Sequence, residues 1–178
     1  MSGTVARLLT VPLLLLASCA LAGAYGMIHN QISYTVSPEY FHDFKFIQFD
    51  IPSGTRRDAS VVGWRASWWM GLILGLPVMA ACLFIRDGRR FARTFLLVAA
   101  SVVCGTLAFG LVALLLSFLT LDAGDLPIWA YREGVEDPIA FVHAGNMHNA
   151  SYLGGIVSAG LGTLAAVITA IRLRKPSP

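Results

Sequence analysis

The chain has 178 residues and a formal net charge of +3; 56 % of its residues are hydrophobic and 13 % charged. That charged share is about half of what a soluble globular domain carries, which excludes a water-soluble fold built around one core. The apolar residues gather in runs of roughly the 20 residues a helix needs to cross a bilayer core, so the lipid bilayer itself is the first partner expected.

The first apolar run covers residues 8–28 and follows Arg7. Its basic start and the Ala-x-Ala sequences at Ala20–Ala22 and Ala22–Ala24 are compatible with a cleaved signal peptide. Leu16-Ala17-Ser18-Cys19 resembles a bacterial lipoprotein processing box. The run continues past Cys19 through Leu21, Tyr25 and Ile28, and that length favours a retained transmembrane helix over cleavage or lipidation. Cys19, Cys82 and Cys104 all lie inside apolar runs without a CxxC neighbour, and are read as small apolar packing residues.

Residues 29–61 are the first long loop. Ile32-Ser33-Tyr34-Thr35-Val36 has the alternation and β-branching of a short strand. Ser37-Pro38-Glu39 reads as an N-cap followed by a first-turn proline and an acid at the positive end of the helix dipole. Phe44-Lys45-Phe46 and Phe49-Asp50-Ile51 alternate again, so a small extracytoplasmic cap with a short β-hairpin is expected. The second span, residues 62–85, opens with Trp64, Trp68 and Trp69 and carries Gly71 and Gly75, a small-xxx-small pair that lets another helix approach. Next come a basic turn at 86–93, an uncharged third span at 94–121 and a second loop at 122–149. The fourth span covers 150–171, and Asp137-Pro138 is a helix start that would extend it beyond the bilayer.

Arg7, Arg86, Arg89, Arg90, Arg93, Arg172, Arg174 and Lys175 fall on one side of these spans with Asp87 as the lone acid. The other side mixes Lys45, Arg56, Arg57, Arg65 and Arg132 with nine acids, and carries all four tryptophans and all four histidines. The positive-inside rule therefore puts both termini and the arginine turn in the cytoplasm of a bacterial inner-membrane protein. The same distribution explains the basic excess without a nucleic-acid partner.

Chemistry is then confined to the histidine-bearing side. His29 closes the first span and His148 opens the fourth, while His143 lies five residues before His148 and Glu39 has the Glu-x-x-His spacing with His42. His29, His148, His143 and Glu39 are the candidate ligands of a transition metal, and two histidines on one side also suit axial ligation of haem. Five residues rotate two helical side chains by about 140°, so His143 and His148 converge only if Gly145 breaks the helix. The plainer reading makes His29-Asn30-Gln31 and His148-Asn149 interfacial polar residues. No GxSxG, HExxH or P-loop sequence is present, and Ser33, Ser37 and Ser151 are not ordered with a base by sequence alone.

Tyr25-Gly26-Met27-Ile28-His29-Asn30-Gln31 with Tyr34 and Ser37-Pro38-Glu39-Tyr40-Phe41, Phe44-Lys45-Phe46, Trp68-Trp69-Met70-Gly71 and Met147-His148-Asn149-Ala150-Ser151-Tyr152-Leu153-Gly154-Gly155 together resemble a family of uncharacterised bacterial multi-pass membrane proteins. That family's pattern has Asp after the first histidine, where this chain has Asn30. The resemblance implies bacterial origin and a shared feature around His29 and His148; it implies no activity.

The expectation is an all-α membrane protein, a four-transmembrane-helix bundle with a small cap. It is foremost a non-enzymatic membrane subunit or scaffold whose cap binds a membrane-protein partner, or a homo-oligomer. A metal- or haem-binding redox or sensor protein using His29 and His148 is the alternative. Small-molecule or lipid binding between the outer helix ends comes third.

Overall fold

The computed structural model describes residues 3–52, 54–131 and 133–174, without the side chains of residues 3–8 and 125. Arg132, Lys175 and the side chain of Arg7, which contribute to the charge asymmetry, lie outside the described residues. Four helical stretches are long and apolar enough to cross a membrane: Leu9–Val36, Arg56–Cys82, Gly88–Thr120 and Pro138–Arg172. The helices are α1 (Gly3–Val36), the single turn α2 (Phe46–Gln48), α3 (Arg56–Ser67), α4 (Met70–Cys82), α5 (Gly88–Thr120) and α6 (Pro138–Arg172). The chain passes from α3 to α4 through a turn at Trp68 and Trp69, so the pair forms one of the four stretches long and apolar enough to cross.

A helix satisfies its backbone within the segment, which is what apolar surroundings without water demand. The ends are set by short polar side chains. Asp87 accepts from the Arg90 backbone N–H at 2.7 Å and starts α5. Asp137 accepts from the Ala140 N–H at 3.0 Å and starts α6, with Pro138 at its first position.

The expected cap is corrected. Among the described residues there is no strand, and Ile32–Val36 forms the last turns of α1. Alternation misled here because the polar members bond back into their own helix: Ser33 Oγ donates to the His29 carbonyl at 3.2 Å and Thr35 Oγ1 to the Gln31 carbonyl at 2.9 Å. An isolated two-stranded hairpin would also be only marginally stable. Ser37 does act as a cap, its Oγ accepting from the Tyr40 N–H at 3.2 Å. A π-helical turn, Phe41–Lys45, then runs into α2. Its wider turn puts residues four and five apart on one face, so Phe41, Lys45 and Phe46 all point inward and are buried. Asp50, with φ of 56°, reverses the chain towards α3.

α1 packs closely on α3 and α4 at bare backbone. A Cβ at Gly26 would strike the Gly63 carbonyl, and one at Gly63 would strike the Gly26 carbonyl. Gly71 likewise lies against the backbone of Ser18 and Cys19, and Ser18 Oγ donates to the Gly71 carbonyl at 2.9 Å. α5 and α6 form the most extensive helix pair. Two apolar clusters result. One, around Leu14, Val78, Cys82, Ile85, Phe91 and Phe95, sits at the arginine-bearing end. The other, around Tyr40, Phe41, Phe46, Val62 and Phe141, sits at the histidine-bearing end. Cys82 is buried in the first, Cys19 is half-buried and Cys104 is exposed on α5; all three are free thiols. Between the clusters lies a polar layer.

Candidate functional site

α1 brings Tyr25 and His29, four residues apart, onto one face, and α6 brings His148 and Ser151, three apart, onto the face opposite. The two imidazoles meet edge to face, with ring centroids 4.5 Å apart and an angle of 88° between planes. Both are buried. The His148 ring is also flanked by Tyr40, 4.8 Å away between centroids, and by Phe41.

Hydrogen bonds order this layer. His148 Nδ1 is 2.9 Å from the Ala144 carbonyl, which only accepts, so Nδ1 carries the hydrogen. Asn30 Nδ2 donates to the Ala59 carbonyl at 2.9 Å, which leaves Asn30 Oδ1 facing His29 Nδ1 at 3.4 Å. With the hydrogen of His29 on Nδ1, its Nε2 is the acceptor for the Ser151 hydroxyl at 3.1 Å; the Met147 carbonyl lies beside the same ring. The Tyr25 hydroxyl also reaches Ser151. The buried chain Ala59–Asn30–His29–Ser151 thus ties α3, α1 and α6 together.

A cavity of about 120 Å³ opens beside this chain. Its polar end is lined by Tyr25, His29, Asn30, Lys45, His148 and Ser151. Its far wall is apolar, with Leu74 and Val78 of α4 and Phe95, Ala99 and Val102 of α5. Ser18 and His29 of α1 both line it, and at a rise of 1.5 Å per residue the eleven steps from one to the other make a slot about 16 Å long. Its volume compares with the ~150 Å³ apolar cavity that holds a benzene ring in another protein. Met70, Val103 and Tyr152 also line it and are half-buried or exposed, so the slot reaches the bundle surface.

Among the described residues, Lys45 is the one Lys or Arg lining this slot. The inward face of the π turn carries it to 9 % exposure. Its Nζ lies 4.6 Å from the Phe44 ring centroid and 5.7 Å from that of Tyr40. Burial pushes its ammonium below the ordinary lysine range, and burial pushes the Tyr40 hydroxyl up.

Of the candidates read from sequence, His29 and His148 come together. His143 does not join them: its Nδ1 bonds the Ser117 hydroxyl at 2.7 Å in the α5–α6 contact, against Phe118. The helix runs unbroken through Gly145, so the rotation between His143 and His148 persists. Glu39 Oε2 accepts from the Asp137 N–H at 3.0 Å and fastens the connector to the start of α6. His42 turns to the Tyr34 hydroxyl at 3.1 Å. Among the described residues no group of three His, Cys, Asp or Glu side chains gathers as ion ligands. Sequence reasoning missed Lys45, Tyr25 and Asn30 as members of the site, and left Ser151 without a base. The available signals were Tyr25 and His29 at helical spacing and a lone cation between two phenylalanines in Phe44-Lys45-Phe46.

No family model, no curated protein and no solved structure matches this chain. The functional reading therefore rests on the geometry.

Proposed function

We propose that this protein binds a small amphipathic molecule inside its transmembrane bundle. The carrying observation is the slot itself: one end offers Tyr25, Asn30, Lys45, His148 and Ser151, the other Val78, Phe95, Ala99 and Val102. A concave, mostly apolar space with a few convergent polar groups is the usual form of a small-molecule site. The partner-binding reading draws less support, because Tyr40, Phe41 and Phe46 spend their apolar surface on one another and on Phe141. Metal or haem binding at His29 and His148 draws on two imidazoles alone. The charge distribution supports a cytoplasmic arginine-rich end, so the polar end of the slot lies towards the outer leaflet.

The test is native mass spectrometry of protein released from its own membrane without added lipid. A bound species of defined mass is expected, and it should be lost in Ala99→Phe, which fills the slot from α5. Wild type that carries nothing and takes up no added amphiphile would remove the proposal.

One observation favours a second reading, acyl transfer at Ser151. A hydroxyl bonded to an imidazole whose other nitrogen faces a fixed amide is the nucleophile–base–orienter arrangement. Ser151 would attack an ester carbonyl while His29 Nε2 takes its proton and returns it to the leaving alcohol; water then releases the acid. A fluorophosphonate probe should transfer its phosphonyl group to Ser151 in wild type, with loss of fluoride and the hydroxyl proton, and not in His29→Gln. A serine that stays unlabelled is a structural one.

A further inference from the structure

Lys45 is nine-tenths buried, faces the polar end of the slot, and belongs to neither apolar cluster. Among the described residues its ammonium has one hydrogen-bond acceptor, Gln48 Oε1 at 3.3 Å, and that acceptor is neutral. The acids near it in sequence are committed elsewhere. Glu39 binds the Asp137 N–H, Asp43 lies against Gly134, Asp58 binds Thr55 and Asp50 is exposed in its turn. The neighbours across the slot, His29 and His148, bring no negative charge. A buried ammonium without a counter-ion is costly, and the cost is relieved when an anion reaches it.

We propose that the polar end of the ligand is a small anion, a carboxylate on a single apolar chain, held by Lys45. This rests on the ligand-binding reading above and names its ligand class. The ammonium supplies the charge, and Asn30, Tyr25 and Ser151 line the same end with further polar groups. A carboxylate suits this end because the space is small, and one extended chain suits a slot about 16 Å long that reaches the bundle surface. The chain would then run along the apolar wall and reach the bundle surface beside Val103.

The experiment measures binding of radiolabelled decanoate and decanol to the full chain in lipid nanodiscs, with decylamine and butyrate as unlabelled competitors. Wild type should prefer decanoate over decanol by roughly 10- to 100-fold, the range of a charge-assisted hydrogen bond, and ignore decylamine. Lys45→Met should lose that preference while still taking decanol, and Lys45→Arg should keep part of it. Competition by butyrate as strong as by decanoate would keep the anion at Lys45 and make its source the aqueous phase. Equal binding of acid and alcohol by wild type overturns the anion while leaving an amphipathic ligand. Binding of none of these compounds removes both. The wild-type comparison decides even if Lys45→Met fails to fold.

Discussion

At the scale of single residues, burial decides what each polar group is for. His29 and His143 are both imidazoles bonded to a serine on a neighbouring helix, at 3.1 and 2.7 Å. His29 faces the slot; His143 is absorbed into a helix contact. Lys45 has a consequence for pH. Its folded ammonium is held below its ordinary value of 10.5 by burial. Between the folded value and 10.5 the unfolded chain binds more protons, so stability rises with pH through that window, and the penalty is complete below it. The unfolding midpoint of ligand-free wild type should therefore climb as the pH rises through that window towards 10.5, relative to Lys45→Met followed in parallel. Tyr40, pushed up from 10.0 by burial, opposes this only above that value. His29 and His148, whose charges would act on Lys45, are present in both proteins. Parallel curves would mean that Lys45 is not desolvated. Bound decanoate should flatten the wild-type climb.

At the scale of elements, the connector between α1 and α3 is where residue pattern and structure part company. Alternation in Ile32–Val36, Phe44–Phe46 and Phe49–Ile51 looks extended, yet none of the three is a strand; in the first, the polar side chains found partners one helical turn away. The π turn matters for the site, since it brings Lys45 and two phenylalanines to one face. The helix crossings were more legible: Gly71 and Gly75 stand out in the sequence, and Gly71 meets the backbone of Ser18. Gly26 and Gly63 carried no such mark, because each makes sense only opposite the other. Gly63→Val should lower stability by about 1–3 kcal/mol or more, as overpacking does when the obstacle is backbone. Heating the variant in detergent, followed by circular dichroism, would show the drop. An unchanged midpoint would mean that α1 and α3 do not cross there. Gly88→Ala meets open space and serves as the control.

At the scale of the whole molecule, two apolar clusters close the bundle at either end of the polar layer, and the slot joins them. The orientation of that arrangement in a membrane rests on charge alone, and it is testable. A cysteine replacing Arg89 should react with an impermeant maleimide only after the cells are opened, and one replacing Asp50 should react in intact spheroplasts. The reverse pattern would invert the topology and turn the slot's polar end to the cytoplasm.

The sequence by itself determined four apolar helices, their approximate spans, and the gathering of histidine and tryptophan at one end. Those features come from local quantities: run length, hydropathy and the side on which charges fall. It also singled out His29 and His148, because each sits where an apolar run meets polar chain. Only the tertiary structure decided that these two meet while His143 and Glu39 go elsewhere, and that Asn30 and Ser151 face the two ring nitrogens of His29. Each of those facts needs the relative rotation and crossing of two or three helices, fixed by close contacts such as Gly26 on Gly63. Rotation about a helix axis leaves no trace in hydropathy. The burial of Lys45 belongs to the same class, since a charge beside two phenylalanines reads as interfacial until a turn of the chain carries it inward.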